Sequence, residues 1–427
     1  MPFTLRTDRR LIRAGSRSTR YLLASIVAPS APPREGRVPA NVALVLDRSG
    51  SMDGERKFEL AREAVERALA LLRREDRFTL VVYDDVADVL VEATEATPEA
   101  RRLALARLAE VEPRGSTDLH GGWTVGAAQL ARRLDERSVA RVLLLTDGLA
   151  NQGITAASAL ATVAADLRIR GITTSTFGVG ADFDERLLRD VAHEGGGNFY
   201  FVESAAQIPD LLTSELGEAL EVVARGAALV VDLPAGADGD ALNRNRTSRD
   251  ANGALRIELG DLVSGQEVET VVKVRFDVGA AGADAAVVAR LSDRAGTLGT
   301  DAQRCEWSYA SHDENDGQRR DVVVDRAVAR LYAARARAEA TEANRDGDFR
   351  RARRVLERTA ERICGYAHGD PELEAIWRAL RDDVGRYADE VMTAMQLKAS
   401  FYVAESVAKG RAPDGKARRS PRPHRSA

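Results

Sequence analysis

Cysteine is scarce in this chain of 427 residues: only Cys305 and Cys364 occur. They lie in segments that we assign to different domains, so no disulfide framework is predicted. Long apolar runs are also missing, since the longest ones, such as Val142–Leu145 and Tyr21–Ala28, fall far short of the roughly 20 residues that span a bilayer. The first residues, Met1–Arg6, lack the apolar core of a signal peptide. We therefore predict a cytoplasmic protein with reduced thiols and no transmembrane segment.

A large excess of charge of one sign is absent as well. The formal net charge is −4, which predicts no nucleic-acid partner, and only the stretch from Lys409 onward is strongly basic. The chain has no P-loop pattern for nucleotide hydrolysis, no Cys/His cluster with zinc spacing and no evident nucleophile–base set. These absences predict that the protein is not an enzyme.

What is present is a hydrophobic period that changes along the chain. Residues 39–221 alternate apolar strands with amphipathic helices, which predicts an α/β domain with a doubly wound, mostly parallel sheet. Arg77–Tyr83 and Val86–Val91 are joined by two residues, so this pair should form an antiparallel edge. Residues 222–312 alternate apolar and polar side chains with a period of two, which predicts a β-sandwich.

The two ends of the chain complete this predicted organisation. Residues 1–38 are expected to form an N-terminal β-hairpin of the sandwich, with a first strand over Phe3–Arg13, so the α/β domain would be inserted between sandwich strands. Residues 318–409 are predicted to form a C-terminal α-helical region whose last segment runs over Glu372–Val407. The basic tail 410–427 is rich in Pro, Arg and Ser and is predicted to be disordered.

Three loops are expected to meet at the carboxyl edge of the α/β sheet. The first follows an apolar strand and presents oxygen side chains at alternate positions: Asp47, Ser49 and Ser51. The second is Arg114–Leu119, and the third is Leu145–Gly148, which carries Asp147 at the end of another apolar strand. Open α/β sheets bind their ligands at this edge. Carboxylate and hydroxyl oxygens are hard donors, which favour Mg²⁺ or Ca²⁺ over a soft metal.

In this order the loops resemble the metal-ion-dependent adhesion site of the von Willebrand factor type A family. The family pattern is D-x-S-x-S, followed by a Thr and then by an Asp after a hydrophobic strand. All of its positions are present in this sequence: Asp47, Ser49, Ser51, Thr117 and Asp147. The stretches Phe177–Gly180 and Gly195–Tyr200 also look like the later sheet region of the family. The resemblance is confined to the α/β domain.

The resemblance implies a function as well as a fold. In the family, the hydroxyls of Ser49, Ser51 and Thr117 would bind Mg²⁺, or Ca²⁺ or Mn²⁺, directly, while Asp47 and Asp147 would act mainly through bridging waters. An ion with neutral ligands keeps the Lewis acidity to bind an acidic residue of a protein partner. Bacterial intracellular relatives with this pattern often work beside MoxR-type AAA ATPases, which implies an adaptor role.

Two other functions stay open on the sequence alone. One is a metal-stabilised structural scaffold that acts through the helical region, and the other is a metal-dependent hydrolase that uses Asp47 as nucleophile or base, although no second base accompanies it. Near the site, Asp53 and Asp118 are either rim residues or solvated acids, and His120 either borders the site or starts a helix. Asn344–Asp348 is superficially similar to a calcium loop and is predicted to be an interhelix turn.

Overall fold

The structure is a computed structural model that describes residues 3–30, 38–135, 138–296, 298 and 301–419. The chain divides into two compact units, Ala31–Val222 and the combination of Met1–Ser30 with Val223–Ala427. We call them the α/β unit and the discontinuous unit. The first strands belong to the discontinuous unit: β1 (Phe3–Thr7), β2 (Leu11–Arg13) and β3 (Ser18–Val27).

The described part of the α/β unit contains one six-stranded sheet. Its strands are β4 (Ala40–Asp47), β5 (Arg77–Tyr83), β6 (Ala87–Glu95), β7 (Val139–Thr146), β8 (Ile172–Val179) and β9 (Gly196–Val202). Their order is β6-β5-β4-β7-β8-β9, with β6 antiparallel to β5 and the other neighbours parallel. The predicted doubly wound, mostly parallel sheet and its antiparallel edge are thus confirmed.

Helices lie between these strands along the chain, and one more follows the last strand. They are α1 (Lys57–Leu71), α2 (Pro98–Ala109), α3 (Leu119–Ala131), α4 (Ala157–Ile169), α5 (Glu185–Glu194) and α6 (Ile208–Leu220). Strands β4 and β7 are neighbours in the middle of the sheet and are buried along their whole length, which explains their unbroken apolar sequences. Because they are parallel, their carboxyl ends bring Asp47 and Asp147 to the same edge.

Helix α3 lies unusually close to the sheet. A side-chain carbon at Gly122 would overlap the ring of Tyr83 on β5, and one at Gly126 would overlap Val45 on β4. Glycine at both positions therefore lets the helix backbone approach the strands. The loop that carries Thr117 runs directly into α3, so this packing also fixes the position of that loop.

In the residues that the structure describes, the discontinuous unit contains two sheets that share one buried apolar core. Its later strands are β10 (Val222–Asp232), β11 (Ala237–Ala241), β12 (Thr247–Arg249), β13 (Leu255–Val263), β14 (Glu267–Phe276), β15 (Asp284–Ser292) and β16 (Gln303–Ala310). The sheets have the orders β1-β3-β14-β11 and β12-β13-β10-β15-β16-β2. Leu22 and Val272 of the first sheet and Ile257 and Trp307 of the second belong to the common core.

The predicted first strand, Phe3–Arg13, is wrong as a single strand. The chain changes sheets at Asp8, since β1 pairs with β3 whereas β2 pairs with β16. Asp8 is buried at this crossing, where its N–H donates to Tyr21 O (3.0 Å) and its carboxylate accepts from Tyr21 N–H (2.7 Å). Hydrophobic alternation shows which side chains are buried but not which sheet a strand joins. Phe3 of β1 and Ile12 of β2 lie in the same core, so the sequence looks like one continuous strand. Residues 31–37 of the predicted hairpin segment lie outside the described residues.

The C-terminal region is helical, as predicted, but its last segment is interrupted. The helices are α7 (His312–Gly317), α8 (Val322–Arg345), α9 (Phe349–Ala367), α10 (Pro371–Ala388) and α11 (Ala394–Ala408). The single segment predicted over Glu372–Val407 is wrong because Asn344 holds a break between α10 and α11. Its amide donates to Tyr387 O (2.9 Å) and Glu390 O (2.7 Å) and accepts from Met392 N–H (3.0 Å).

The prediction of a disordered tail over 410–427 is also wrong for its first part. Glu267 N–H at the start of β14 donates to Arg418 O (2.8 Å), and Arg418 Nη1 lies 2.9 Å from Glu269 Oε2. The hydroxyl of Tyr402 donates to Asp414 O (2.7 Å). The tail thus supplies a backbone acceptor and a positive charge to the start of β14. The composition of the tail does not reveal these contacts. Residues 420–427 lie outside the described residues.

Among the helices that the structure describes, every one is too short or too polar to span a bilayer.

Candidate functional site

Asp47 ends β4 with its carboxylate buried and both of its oxygens hydrogen-bonded. Ser49 N–H donates to Oδ1 (2.7 Å), and the Thr146 hydroxyl donates to Oδ2 (2.6 Å). Burial raises the pKa of Asp47 to about 6; the hydrogen bonds oppose this rise, and the nearby charge of Asp147 adds to it. A carboxylate held in this way is stabilised in its ionised form by a neighbouring cation.

The second carboxylate, Asp147, lies beside the serine hydroxyls of the first loop. Ser51 Oγ donates to Asp147 Oδ1 (2.6 Å) and lies 3.1 Å from Ser49 Oγ. Ser49 and Asp147 are buried, whereas Ser51 is exposed. The oxygens therefore extend from the interior to the surface at the carboxyl edge of the sheet.

Thr117 reaches the same place from the second loop. A side-chain carbon at Gly148 would lie 3.5 Å from Thr117 Oγ1 and 3.8 Å from Ser51 Oγ, so both hydroxyls flank this glycine. Thr117 N–H donates to Asn151 Oδ1 (2.9 Å), and Asn151 N–H donates to Thr117 O (3.2 Å). The structure thus brings together the residues singled out in the sequence: Asp47, Ser49, Ser51, Thr117 and Asp147.

Two arginines fasten the first loop to the second. Asp84 accepts from Arg48 Nε (3.0 Å) and Arg114 Nε (2.9 Å). Burial of Asp84 acts against its charge, but the hydrogen bonds, led by that from Arg114, hold the pKa of Asp84 below its ordinary value. The backbones are joined as well, since Arg114 N–H donates to Arg48 O (2.7 Å) and Gly50 N–H donates to Gly115 O (3.2 Å). These contacts hold the hydroxyls of the two loops at fixed separations.

Lys57, the first residue of α1, also belongs to the site, although sequence reasoning did not include it. Its Nζ lies 2.6 Å from Asp147 Oδ2 and donates to Ser51 O at 3.5 Å. The Lys57 side chain is 13% exposed and that of Asp147 is fully buried. Asn151 was missed in the same way. The sequence signal for either residue is only a polar side chain near a predicted loop.

The other residues considered near the site have simpler positions. Asp118 caps α3, because its carboxylate accepts from Gly121 N–H (2.8 Å). His120 is half-buried in the first turn of the same helix, which agrees with a helix-start residue. Asp53 is exposed in the 3-10 helix Gly50–Arg56, which also contains Ser51.

The donor set fits a hard divalent cation. Hydroxyl and carboxylate oxygens meet at one edge of the sheet, and no sulfur or imidazole ligand was identified among them. In the described residues no group of three or more His, Cys, Asp and Glu side chains is placed to hold a metal, so a site here would depend on the serine and threonine hydroxyls beside the two aspartates. Oxygen donors of this kind suit Mg²⁺, Ca²⁺ or Mn²⁺.

Comparisons with known proteins identify the α/β unit. The family model of the von Willebrand factor type A domain matches residues 41–214. The protein YfbK of Escherichia coli is 25% identical over 234 residues, which are 55% of this chain and 40% of that protein. The human inter-alpha-trypsin inhibitor heavy chain H3 is 38% identical over 122 residues, which are 27% of this chain and 14% of that protein. The chain thus matches less than half the length of these relatives.

Two solved structures have a similar fold. A von Willebrand factor type A protein from Catenulispora acidiphila has a TM-score of 0.68 at 20% identity, with 89% of each chain covered. The ArnB paralog VWA2 from Sulfolobus acidocaldarius has a TM-score of 0.58 at 16% identity, with 94% of this chain and 97% of that one covered. At these identities the likeness shows the fold alone. Together with the family match, it shows that this chain contains a von Willebrand factor type A domain over residues 41–214.

Proposed function

We propose that the α/β unit is a divalent-cation-dependent protein-binding module. The hydroxyls of Ser49, Ser51 and Thr117 would hold Mg²⁺, or Ca²⁺ or Mn²⁺, directly, while Asp47 and Asp147 would hold it through waters. The observation that carries the proposal is the meeting of these oxygens at one sheet edge, with Ser51 at the surface. A bound ion would supply a Lewis-acidic position for an acidic side chain of the partner.

The hydrogen bonds of the site support binding rather than turnover. Asp47 is fully buried and each of its oxygens accepts one hydrogen bond, from Ser49 N–H and from the Thr146 hydroxyl, so this carboxylate is poorly placed to reach a substrate as nucleophile or base. A second lone pair on each oxygen stays open to a metal-bound water. Asp147 is likewise engaged, by Ser51 and Lys57. The side chains of this site orient an ion and leave its exposed side to a partner.

An adaptor role beside a MoxR-type AAA ATPase is a further part of the proposal. It rests on the resemblance to bacterial proteins with the same five-residue pattern. The cytoplasmic location is proposed on the same resemblance. An ATPase partner would have to present an acidic side chain to the edge that carries Ser51.

The direct test is a Mg²⁺ titration by calorimetry on the full chain, followed by a pull-down with Mg²⁺ and with EDTA. Ser49→Ala and Ser51→Ala should weaken Mg²⁺ binding and chelator-sensitive capture together. Thr162→Ala is the matched control, because this exposed hydroxyl donates only within α4, to Ser158 O (3.0 Å). Capture that is unchanged by EDTA and by the serine variants would favour the alternative of a scaffold that acts through the helices.

A further inference from the structure

The Lys57–Asp147 ion pair lies where a bound cation would act. Asp147 divides its oxygens between two donors: Oδ1 accepts from the Ser51 hydroxyl (2.6 Å), and Oδ2 accepts from Lys57 Nζ (2.6 Å). Lys57 Nζ also donates to Ser51 O (3.5 Å). The ammonium group therefore contacts two of the residues expected to serve the metal.

We propose that Lys57 is an internal counter-cation that occupies Asp147 in the metal-free protein and weakens the binding of a divalent cation. This inference rests on the proposed metal site. Lys57 would act as a positioning residue, since it reaches the ion through its effect on Asp147. Its presence would set the concentration of divalent cation at which the site fills.

The charges at the site give the direction of the effect. Asp47 and Asp147 contribute two carboxylates, and Lys57 neutralises one of them. Arg48, the residue after Asp47, is paired with Asp84 and Asp88. A divalent cation that binds beside Asp147 would be repelled by the Lys57 ammonium, and this repulsion is large where solvent is excluded. Removal of the Lys57 charge should therefore strengthen metal binding.

The position of Lys57 in α1 supports an exchangeable contact. Lys57 is the first residue of the helix, and a positive charge near a helix N-terminus is unfavourable to the helix dipole. In the metal-free protein, the ion pair with Asp147 offsets this unfavourable interaction with the helix dipole. The lysine side chain is long and flexible, and its 13% exposure leaves the ammonium a path toward solvent.

The test compares Mg²⁺ affinity by calorimetry in the wild type, Lys57→Met and Arg56→Met. The Lys57→Met variant should bind Mg²⁺ about tenfold more tightly, because the competing charge is gone. Arg56→Met is the matched control: the neighbouring cation is 74% exposed and pairs with Glu59, so its loss should leave the affinity unchanged. Lys57→Arg retains the charge and should restore affinity close to that of the wild type.

Thermal melting in EDTA gives a second readout that does not depend on metal. Lys57→Met should melt at a lower temperature than the wild type in EDTA, because Asp147 is left buried without a counter-cation. Mg²⁺ should then raise its melting temperature more than that of the wild type. The double variant Lys57→Met/Asp147→Asn should recover the stability lost in EDTA. If Lys57→Met does not fold in EDTA, Lys57→Gln, which keeps a donor toward Asp147, replaces it.

The possible outcomes separate this inference from the proposed function. If the wild type binds Mg²⁺ and Lys57→Met binds it equally or more weakly, Lys57 supports the site or is neutral, and the counter-cation idea is wrong. If neither the wild type nor any Lys57 variant binds Mg²⁺, the proposed metal site is wrong and the inference falls with it.

Discussion

At the scale of single residues, the buried carboxylate of Asp47 makes the stability of the metal-free protein depend on pH. Its pKa is raised to about 6 in the folded chain, against an ordinary value of about 4 in an unfolded one. Between these values the folded state binds more protons than the unfolded state, so stability should fall as the pH rises from about 4 to about 6.

Asp47→Asn should remove this part of the pH dependence. It keeps an oxygen that can accept from Ser49 N–H or Thr146, so the fold should persist while Mg²⁺ binding is lost. The measurement is thermal melting in EDTA at pH 5 and pH 7, with a Mg²⁺ titration at pH 7. A variant whose stability changes with pH as that of the wild type does would show that another group is responsible.

The residues of the site that could be predicted are those set by local order along the chain. Asp47, Ser49 and Ser51 follow a strand, and parallel strands bring Asp147 to the same edge. Lys57 could not be predicted, because its approach to Asp147 depends on the direction in which α1 leaves the 3-10 helix Gly50–Arg56. This 3-10 helix contains two non-glycine residues with positive φ, Glu55 and Arg56, which no periodicity reports.

At the scale of elements, Glu215 anchors α6 to the sheet of the α/β unit. Its carboxylate is fully buried and accepts from donors on three strands: Arg141 Nη1 (2.7 Å), Ser175 Oγ (2.5 Å), Asn198 Nδ2 (3.1 Å) and Tyr200 Oη (2.5 Å). The ring of Tyr200 stacks on Phe177, with 4.9 Å between ring centroids, which positions its hydroxyl. A helix held at one point by this many donors has little freedom to slide.

Glu215→Ala should lower the free energy of unfolding by about 3–5 kcal/mol, because it removes the buried carboxylate that pairs with the buried Arg141 at 2.7 Å. Asp210→Ala on the same helix is the control: Asp210 is 81% exposed and its pair with Arg67 lies at the surface, so its loss should cost less than about 1 kcal/mol. Urea denaturation of both variants measures the difference. Equal losses for the two would mean that α6 is held by its apolar face alone.

The elements themselves were predicted unevenly, for reasons that differ from one to the next. The buried strands of the α/β sheet were predicted well, because both of their faces are covered and their apolar runs are unbroken. Strand β12 is fully exposed and β11 is rich in Asp and Ala, so neither has a hydrophobic signal. The break between α10 and α11 at 389–393 was not predicted, because its cause, Asn344, lies on another helix, α8.

At the scale of the whole molecule, the discontinuous unit depends on strands that precede the α/β unit in the chain and on strands that follow it. Strand β3 lies between β1 and β14 and pairs with β14 over ten positions, from Ser18–Phe276 to Val27–Glu267. Deletion of residues 1–30 would therefore remove β1 and β3 from this sheet and β2 from the other, and would uncover apolar side chains of β14, among them Val272 and Val274. We expect the deleted protein to aggregate, as judged by size-exclusion chromatography with light scattering.

Residues 38–222, produced alone, provide the comparison for this deletion. They contain the complete six-stranded sheet and its helices, so we expect a soluble product that melts cooperatively and binds Mg²⁺ as the full chain does. A deletion of residues 1–30 that stays monomeric and melts in one transition would mean that β3 is dispensable for the core.

The pairing of β3 with β14 also has a consequence for synthesis on the ribosome. After β3 is made, synthesis of its partner strand β14 begins only 240 residues later (267 − 27). At about 5–20 residues per second this is a wait of roughly 10–50 seconds. During that time Leu22, Leu23 and Ile26, all buried in the finished protein, lack the later strands and the helix α8 that cover them. The nascent chain thus offers a hydrophobic segment to chaperones for much of its translation, and the α/β unit can fold before the chain that precedes it.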